Sequence, residues 1–298
     1  MELHQLRYFV AVAQMGSFSR AAERCHVSQP SLSQQITKLE RGLKQRLFDR
    51  LGRRVVLTEA GRLLLERATT VLSAVEDAER QMRDAVDLEG GRLAIGAIPT
   101  VAPFLLPPAL KRFVARHPAV ELTIQEQVTK QLIAATAAGE LDLAIMALPV
   151  DDDRLIAETI LTEQLLLALP PRHRLTRQRR ICMEDLAQER FILLDEMHCL
   201  GEQVISFCRA SGCQPRIACR SAQISTILSF IELGQGVSLI PEMARPSDAG
   251  KKKTYRSLSE GKPMRTIAAV WHRNRYRSPM AEQFLHCLRM TCAATSVK

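Results

Sequence analysis

The chain has 298 residues, 46% of them hydrophobic and 24% charged, with a formal net charge of +9. That length suits two domains with sizeable cores, and the composition is that of an ordinary globular protein rather than a fibrous or disordered one. No basic leader precedes an apolar run at Met1–Gln5, and no uninterrupted apolar window is long enough to span a membrane. The eight cysteines are therefore expected as cytoplasmic thiols, not as a disulfide framework. The cationic excess suits a nucleic-acid partner. One basic cluster, Lys38, Arg41, Lys44, Arg46, Arg50, Arg53 and Arg54, is opposed only by Glu40 and Asp49. A second, Lys251, Lys252, Lys253 and Arg256, reads as a solvated loop.

Residues 3–15 carry Leu6, Phe9, Val10, Val12 and Ala13 at the spacing of an amphipathic helix. Ser17 is placed to cap a second helix from Phe18 to Cys25, where Ala21 and Ala22 allow close packing. His26-Val27 makes the turn, and Ser28 caps a third helix that tolerates Pro30 in its first turn. Leu32, Ile36 and Leu39 line one face of this helix, with Pro30, Ser31, Gln34, Thr37, Lys38 and Arg41 largely opposite. The pattern is a helix-turn-helix whose open face offers hydroxyls, an amide and cations to base edges and phosphates. Gln34 has the donor and acceptor that an adenine edge requires. Leu47-Phe48, a tight turn over 49–54 and Val55-Val56-Leu57 then read as a basic wing along the phosphate backbone. A helical interaction module with a solvated charged face is the alternative; the order of cap, turn, recognition face and wing favours DNA.

From Glu59 to about Val86 the chain is proline-free, and Leu64, Ala68, Val71, Val75, Ala78 and Met82 form a heptad-like seam. A lone seam needs a partner: the same helix of a second subunit, or, alternatively, the chain's own second domain. Gly90-Gly91 closes the helix. The expected organisation is a DNA-binding domain over 1–58, a dimerising linker helix over 59–90 and a regulatory domain over 91–298.

Beyond the glycines, strands are expected at 92–98, 120–124 and 141–146, alternating with helices at 103–117 and 129–138, which argues for a parallel α/β sheet. A second set follows: strands at 165–169 and 191–194, a helix around 225–233, strands at 237–241 and 266–271, and a last helix from Ser278 toward Cys292. Within it, His198-Cys199-Leu200-Gly201-Glu202-Gln203-Val204-Ile205-Ser206-Phe207-Cys208 has apolar residues at roughly helical spacing. On one unbroken helix, Cys199 and Cys208 would stand about 13 Å apart along the axis. A disulfide needs Cα atoms at roughly 4.4–6.8 Å, so bridging requires the segment to unwind. Two covalent states would then demand two backbone shapes, as a redox switch requires; the plainer reading is two small buried hydrophobes. Cys208, Cys213 and Cys219 lack the C-x-x-C spacing of a zinc site, and no metal or cofactor is expected.

Ser17-Phe18-Ser19-Arg20-Ala21-Ala22, Val27 through Ile36, Leu39-Glu40, Phe48-Asp49-Arg50 and Leu57-Thr58-Glu59-Ala60-Gly61 resemble the signature of LysR-type transcriptional regulators. The resemblance covers essentially the whole chain. It implies an α/β protein: a winged helix-turn-helix and long linker helix, then a two-lobed effector domain like the periplasmic binding proteins, with two crossing strands near 162–168 and 265–270. It also implies that Pro30, Ser31, Ser33, Gln34, Arg50 and Arg53 approach DNA; Lys38 joins them on the face reading. Promoter DNA and RNA polymerase are the implied partners of a homo-oligomeric activator, usually a tetramer built as a dimer of dimers.

Within that family, His198-Cys199-Leu200 and Phe207-Cys208 are similar to the peroxide-sensing segment of OxyR-type regulators, and Thr100, Thr129 and Arg265-Thr266-Ile267 match its pocket. The resemblance implies Cys199 as the sensing thiol and Cys208 as the resolving one. Arg265 and His198 would favour the thiolate, and Thr100 and Thr129 would hold hydrogen peroxide. Plainer roles stand beside these: helix caps for the threonines, a surface ion pair for Arg265, a solvent-facing helix start for His198. Cys213 lies near enough to compete with Cys208, and Gly201 stands where resembling sequences more often carry a larger polar residue, which should ease unwinding. A regulator responding to a small organic anion, with incidental cysteines, is the first rival. A thiol peroxidase fused to a DNA-binding domain is the second, and nothing resembling a nucleophile elbow, a phosphate loop or a C-x-x-C redox motif supports an enzyme.

Overall fold

The computed structural model describes all residues except 52–53, 87–89, 196–198, 213, 246–252 and 297–298, and of residues 50, 51, 54, 86 and 294–296 the backbone only. Arg53, His198, Cys213, Lys251, Lys252 and the side chain of Arg50 thus lie outside the described residues. The chain divides into two compact units, Met1–Ala85 and Val86–Lys298. Among the described residues no helix is long and apolar enough to cross a membrane.

In the first unit, α1 (Leu3–Met15), α2 (Phe18–Arg24) and α3 (Gln29–Leu43) pack around Phe9, Val12, Ala21, Leu32, Ile36 and Leu39. Ser17 Oγ accepts from the Arg20 N–H and Ser28 Oγ from the Ser31 N–H, so both expected caps satisfy first-turn amides that would otherwise be orphaned. β1 (Phe48–Leu51) and β2 (Arg54–Leu57) pair antiparallel, with Arg50 opposite Val55. The wing's turn is thus shorter than the expected 49–54, because the ladder carries on through Asp49, Arg50 and Leu51. Glu40 Oε1 accepts the Leu47 N–H at 2.8 Å, fastening the recognition helix to the wing. α4 (Glu59–Val86) follows; Ala68 is buried in the unit's core, whereas Val71 and Met82 of the same seam are 43% and 64% exposed.

The second unit has two lobes. In the first, β3 (Arg92–Ala97) lies between β4 (Glu121–Glu126) and β5 (Leu143–Ala147), all parallel. α5 (Ala102–Arg116) and α6 (Thr129–Ala138) alternate with them, and α9 (Pro279–Ser296) packs into the same core. β6 (Leu155–Leu169) and β11 (Met264–His272) run antiparallel to each other and join the lobes. β9 (Ser238–Pro241) and β10 (Thr254–Arg256) flank the far end of β6, both antiparallel to it. The three strands expected to run parallel do so, and the crossing strands make the whole sheet mixed, with the order β10-β6-β11-β5-β3-β4 and β9 on β6. The reason is that both crossing strands run counter to their neighbours. β7 (Arg190–Leu194) and β8 (Arg216–Ser221) form a separate parallel pair in the second lobe, covered by α7 (Cys199–Ala210) and α8 (Ile224–Glu232).

β8, β10 and the first half of β6 were not foreseen. β10 has only three residues, and β6 between Leu155 and Gln164 alternates partly exposed positions instead of forming an apolar run. The second basic cluster is also not simply a solvated loop. Lys253 Nζ pairs with Glu232 at 3.2 Å, and Arg256 sits in β10 and donates to backbone carbonyls.

Candidate functional site

On the DNA-facing helix, Pro30, Ser31, Gln34, Lys38 and Arg41 are exposed and Ser33 is half-buried. Thr37 Oγ1 donates to the Ser33 carbonyl at 2.9 Å, so this hydroxyl is spent inside the helix. The remaining groups form an unobstructed polar and cationic face, the kind that enters a major groove.

In the second unit the polar residues converge at the carboxyl ends of the first lobe's parallel strands, where crevices of open α/β sheets form. Thr100 follows β3, Thr129 follows β4 and opens α6, and Leu148 follows β5. Arg265 stands on β11 directly opposite Glu163 on β6. Its Nε donates to Glu163 Oε1 at 2.8 Å, its NH1 to Thr100 Oγ1 at 3.0 Å and its NH2 to the Thr100 carbonyl at 3.1 Å. The second Glu163 oxygen accepts the Met243 N–H at 2.7 Å. Arg265, Thr100 and Glu163 are 2%, 2% and 5% exposed. Arg265 is therefore not a surface ion-pair partner: its charge is buried and balanced by a carboxylate absent from the sequence reading.

Neither threonine caps a helix. The residues at the cap positions of α5 and α6 are Val101 and Val128, without side-chain caps, and Thr100 is instead an acceptor for Arg265. Thr129 Oγ1 is buried with no hydrogen-bond partner, an uncommon and costly state for a hydroxyl. Gln203 on α7 shows the same feature. Its Nε2 donates to the Leu148 carbonyl of the other lobe at 3.3 Å, while its Oε1 is buried and unpartnered. Gln203 and Glu163 were both missed from sequence. β6 carries two carboxylates, Glu158 and Glu163, and nothing in the sequence singles out the one that faces Arg265.

Cys199 is the first residue of α7, half-buried and packed against the first lobe's core. Cys208 lies in the last turn, 0% exposed within the second lobe's core. The helix between them is continuous, and both stand as thiols. Gly201 is buried because a Cβ there would sit 2.6 Å from the Leu194 carbonyl oxygen, so the first turn of α7 packs directly on the end of β7. Burial pushes the Cys25 and Cys182 thiols up, and burial together with the Glu163 carboxylate pushes Cys292 up to about 11. Those three are protonated at neutral pH. Cys25 and the buried Cys287 and Cys292 fill cores, Cys219 lies on β8, and Cys213 is outside the described residues.

Two family models match. Residues 3–62 fit the bacterial regulatory helix-turn-helix protein of the lysR family, and residues 87–293 fit the LysR substrate binding domain. The chain belongs to the LysR family. Among relatives of this LysR-family regulator, the DNA-binding transcriptional dual regulator OxyR of Escherichia coli K12 is 35% identical over 95% of this chain and 92% of its own. A hydrogen peroxide-inducible genes activator of Pectobacterium carotovorum is 36% identical over 91% of this chain and 90% of its own. The solved full-length OxyR variant from Pseudomonas aeruginosa superposes with a TM-score of 0.78 at 31% identity, covering 97% of this chain and 95% of that one. The winged helix-turn-helix and two-lobed effector domain are thus the family's architecture, and the protein is a DNA-binding transcriptional regulator.

Proposed function

We propose that this regulator senses hydrogen peroxide through Cys199, with Cys208 as the resolving thiol, and that the resulting bridge resets a DNA-bound homo-oligomer. The observation that carries this reading is the single helix holding both thiols. Nine residues of rise separate them by about 13 Å, roughly twice the Cα separation a disulfide accepts. A bridge must therefore dismantle α7, including the Gln203 hydrogen bond that fastens it to the first lobe. Oxidation then selects a second backbone state rather than decorating the first. The relatives named as hydrogen peroxide-inducible activators support the choice of oxidant.

The chemistry balances in two steps. The Cys199 thiolate attacks one peroxide oxygen, the S–O bond forms as O–O breaks, and the departing hydroxide takes a proton to leave as water. Cys208 sulfur then attacks the sulfenic sulfur, S–S forms, and the hydroxyl leaves as water with the thiol's proton. Thr100 accepts from Arg265 and so keeps its own proton to give, and Thr129 has its full hydroxyl open. Both are suited to donate toward the leaving oxygen, and the Gln203 amide oxygen to accept from the peroxide O–H. An organic-anion effector is less well served, because Glu163 already occupies the guanidinium it would need. The exposed Val71 and Met82 on α4 suit pairing with the same helix of a second subunit, and the oxidised oligomer would act on transcription through RNA polymerase.

Peroxide treatment followed by thiol trapping and peptide mass spectrometry should recover a dominant Cys199–Cys208 bridge. The Cys199→Ser variant should bind DNA and lose every peroxide-dependent change in its footprint. A footprint that still shifts on oxidation of that variant removes Cys199 as the trigger.

A further inference from the structure

The stretch Pro170 to Ile181 carries five arginines, and Arg172, Arg174, Arg177, Arg179 and Arg180 are all exposed. Its backbone is pinned. Arg256 from β10 donates through NH1 to the Thr176 carbonyl at 3.0 Å and through NH2 to the Gln178 carbonyl at 2.8 Å. Ile181 and Ser259 exchange two hydrogen bonds, and Leu175 and Ile181 are fully buried in the second lobe's core. Arg172 holds a left-handed φ of 62°, unusual for a side chain of its size.

The acids nearby are accounted for. Glu189 takes His173 at 3.2 Å and Arg174 at 2.7 Å, and Asp185 Oδ2 accepts the Cys182 N–H at 2.8 Å. Glu184, Asp185 and Glu260 cluster about Cys182 with Arg180 beside them. Arg172, Arg177 and Arg179 are left without an ion pair among the described residues.

We propose that this loop is a second DNA-contacting surface, in which Arg172, Arg177 and Arg179 grip phosphates of duplex DNA. Arginine is the side chain whose planar fork matches a phosphate. The clamped backbone means that binding orders side chains and little else. A protein partner fits poorly, because stable protein interfaces are anchored by buried apolar or aromatic side chains and no large hydrophobic residue is exposed between residues 170 and 181. A phosphate backbone needs only charge and donors.

The test is equilibrium binding of the full-length protein to sheared genomic duplex DNA across a salt series. Each phosphate neutralised contributes about 0.9 to the slope of log affinity against log salt. The triple variant Arg172→Ser, Arg177→Ser, Arg179→Ser should therefore show a slope shallower by about 2 to 3 and roughly tenfold weaker binding at low salt. Its thermal melting should match that of the parent, since the three side chains are exposed. Arg180→Ser, beside Glu184 and Glu260, should leave the slope unchanged. An unaltered slope in the triple variant overturns the proposal. So does lost transcriptional activity with unchanged DNA affinity, which would assign the loop to an acidic protein instead.

Discussion

The two ends of α7 sit in opposite environments. At its start Cys199 is half-buried against the first lobe, whose nearby strand ends carry a buried ion pair and an unsatisfied hydroxyl. At its end Cys208 is sealed with Leu200, Val204 and Phe191 in the second lobe's apolar core. On the proposed mechanism the difference assigns reactivity to one end and resolution to the other. The first end is only partly buried in the resting fold. On the proposed mechanism the second leaves its core only when the disulfide forms. On that mechanism a sulfenic acid alone need not move the helix, whereas a bridge would have to.

The largest expected effect lies at the polar end. Glu163→Gln leaves the Arg265 cation buried at 2% exposure with no carboxylate to balance it. Removing one partner of a buried pair costs about 3–5 kcal/mol, whereas removing both costs much less. Urea unfolding should therefore show Glu163→Gln far less stable than Glu163→Gln/Arg265→Gln. Equal stabilities would mean that the pair is not buried as a unit, and the contrast between a polar and a dry end would lose its basis.

Much of this architecture was legible in the residues. Ser17 and Ser28 are caps whose side-chain oxygens have one obvious use, and the spacing of Leu32, Ile36 and Leu39 has one obvious face. Thr100, Thr129 and Arg265 were legible only by resemblance, because nothing local distinguishes a pocket threonine from a capping one. Glu163 was not legible at all. It lies 102 residues from Arg265, and its importance depends on the register of two antiparallel crossing strands. Gln203 was hidden for a related reason: its partner is a carbonyl across the lobes, and backbone acceptors leave no trace in a sequence.

A smaller effect separates chemistry from access. Thr129→Val is nearly isosteric and deletes the hydroxyl that has no partner in the resting protein. If that hydroxyl serves peroxide, oxidation of Cys199 should slow about 100- to 1,000-fold, the range typical of a lost transition-state donor. Alkylation of the same thiol by iodoacetamide, which needs no such donor, should keep its rate. Stopped-flow oxidation beside timed alkylation reads both. Parallel slowing of the two would reduce Thr129 to a packing residue.

The smallest effect lies between the two ends, at Gly201. Two forces oppose each other there. Alanine improves helix propensity by up to about 1 kcal/mol, which should hold α7 in its dithiol shape. Its Cβ, however, would meet the Leu194 carbonyl at 2.6 Å and that of Asp195 at 3.3 Å, and both are backbone atoms that cannot swing aside. Overpacking of this kind costs about 1–3 kcal/mol, so the clash outweighs the propensity. The helix start in Gly201→Ala should lift from β7, and the Cys199–Cys208 bridge should form at lower peroxide than in the parent. A peroxide titration of the bridged fraction decides the sign. A higher threshold would mean that propensity governs the switch, and that the glycine is there to loosen the helix rather than to let it pack.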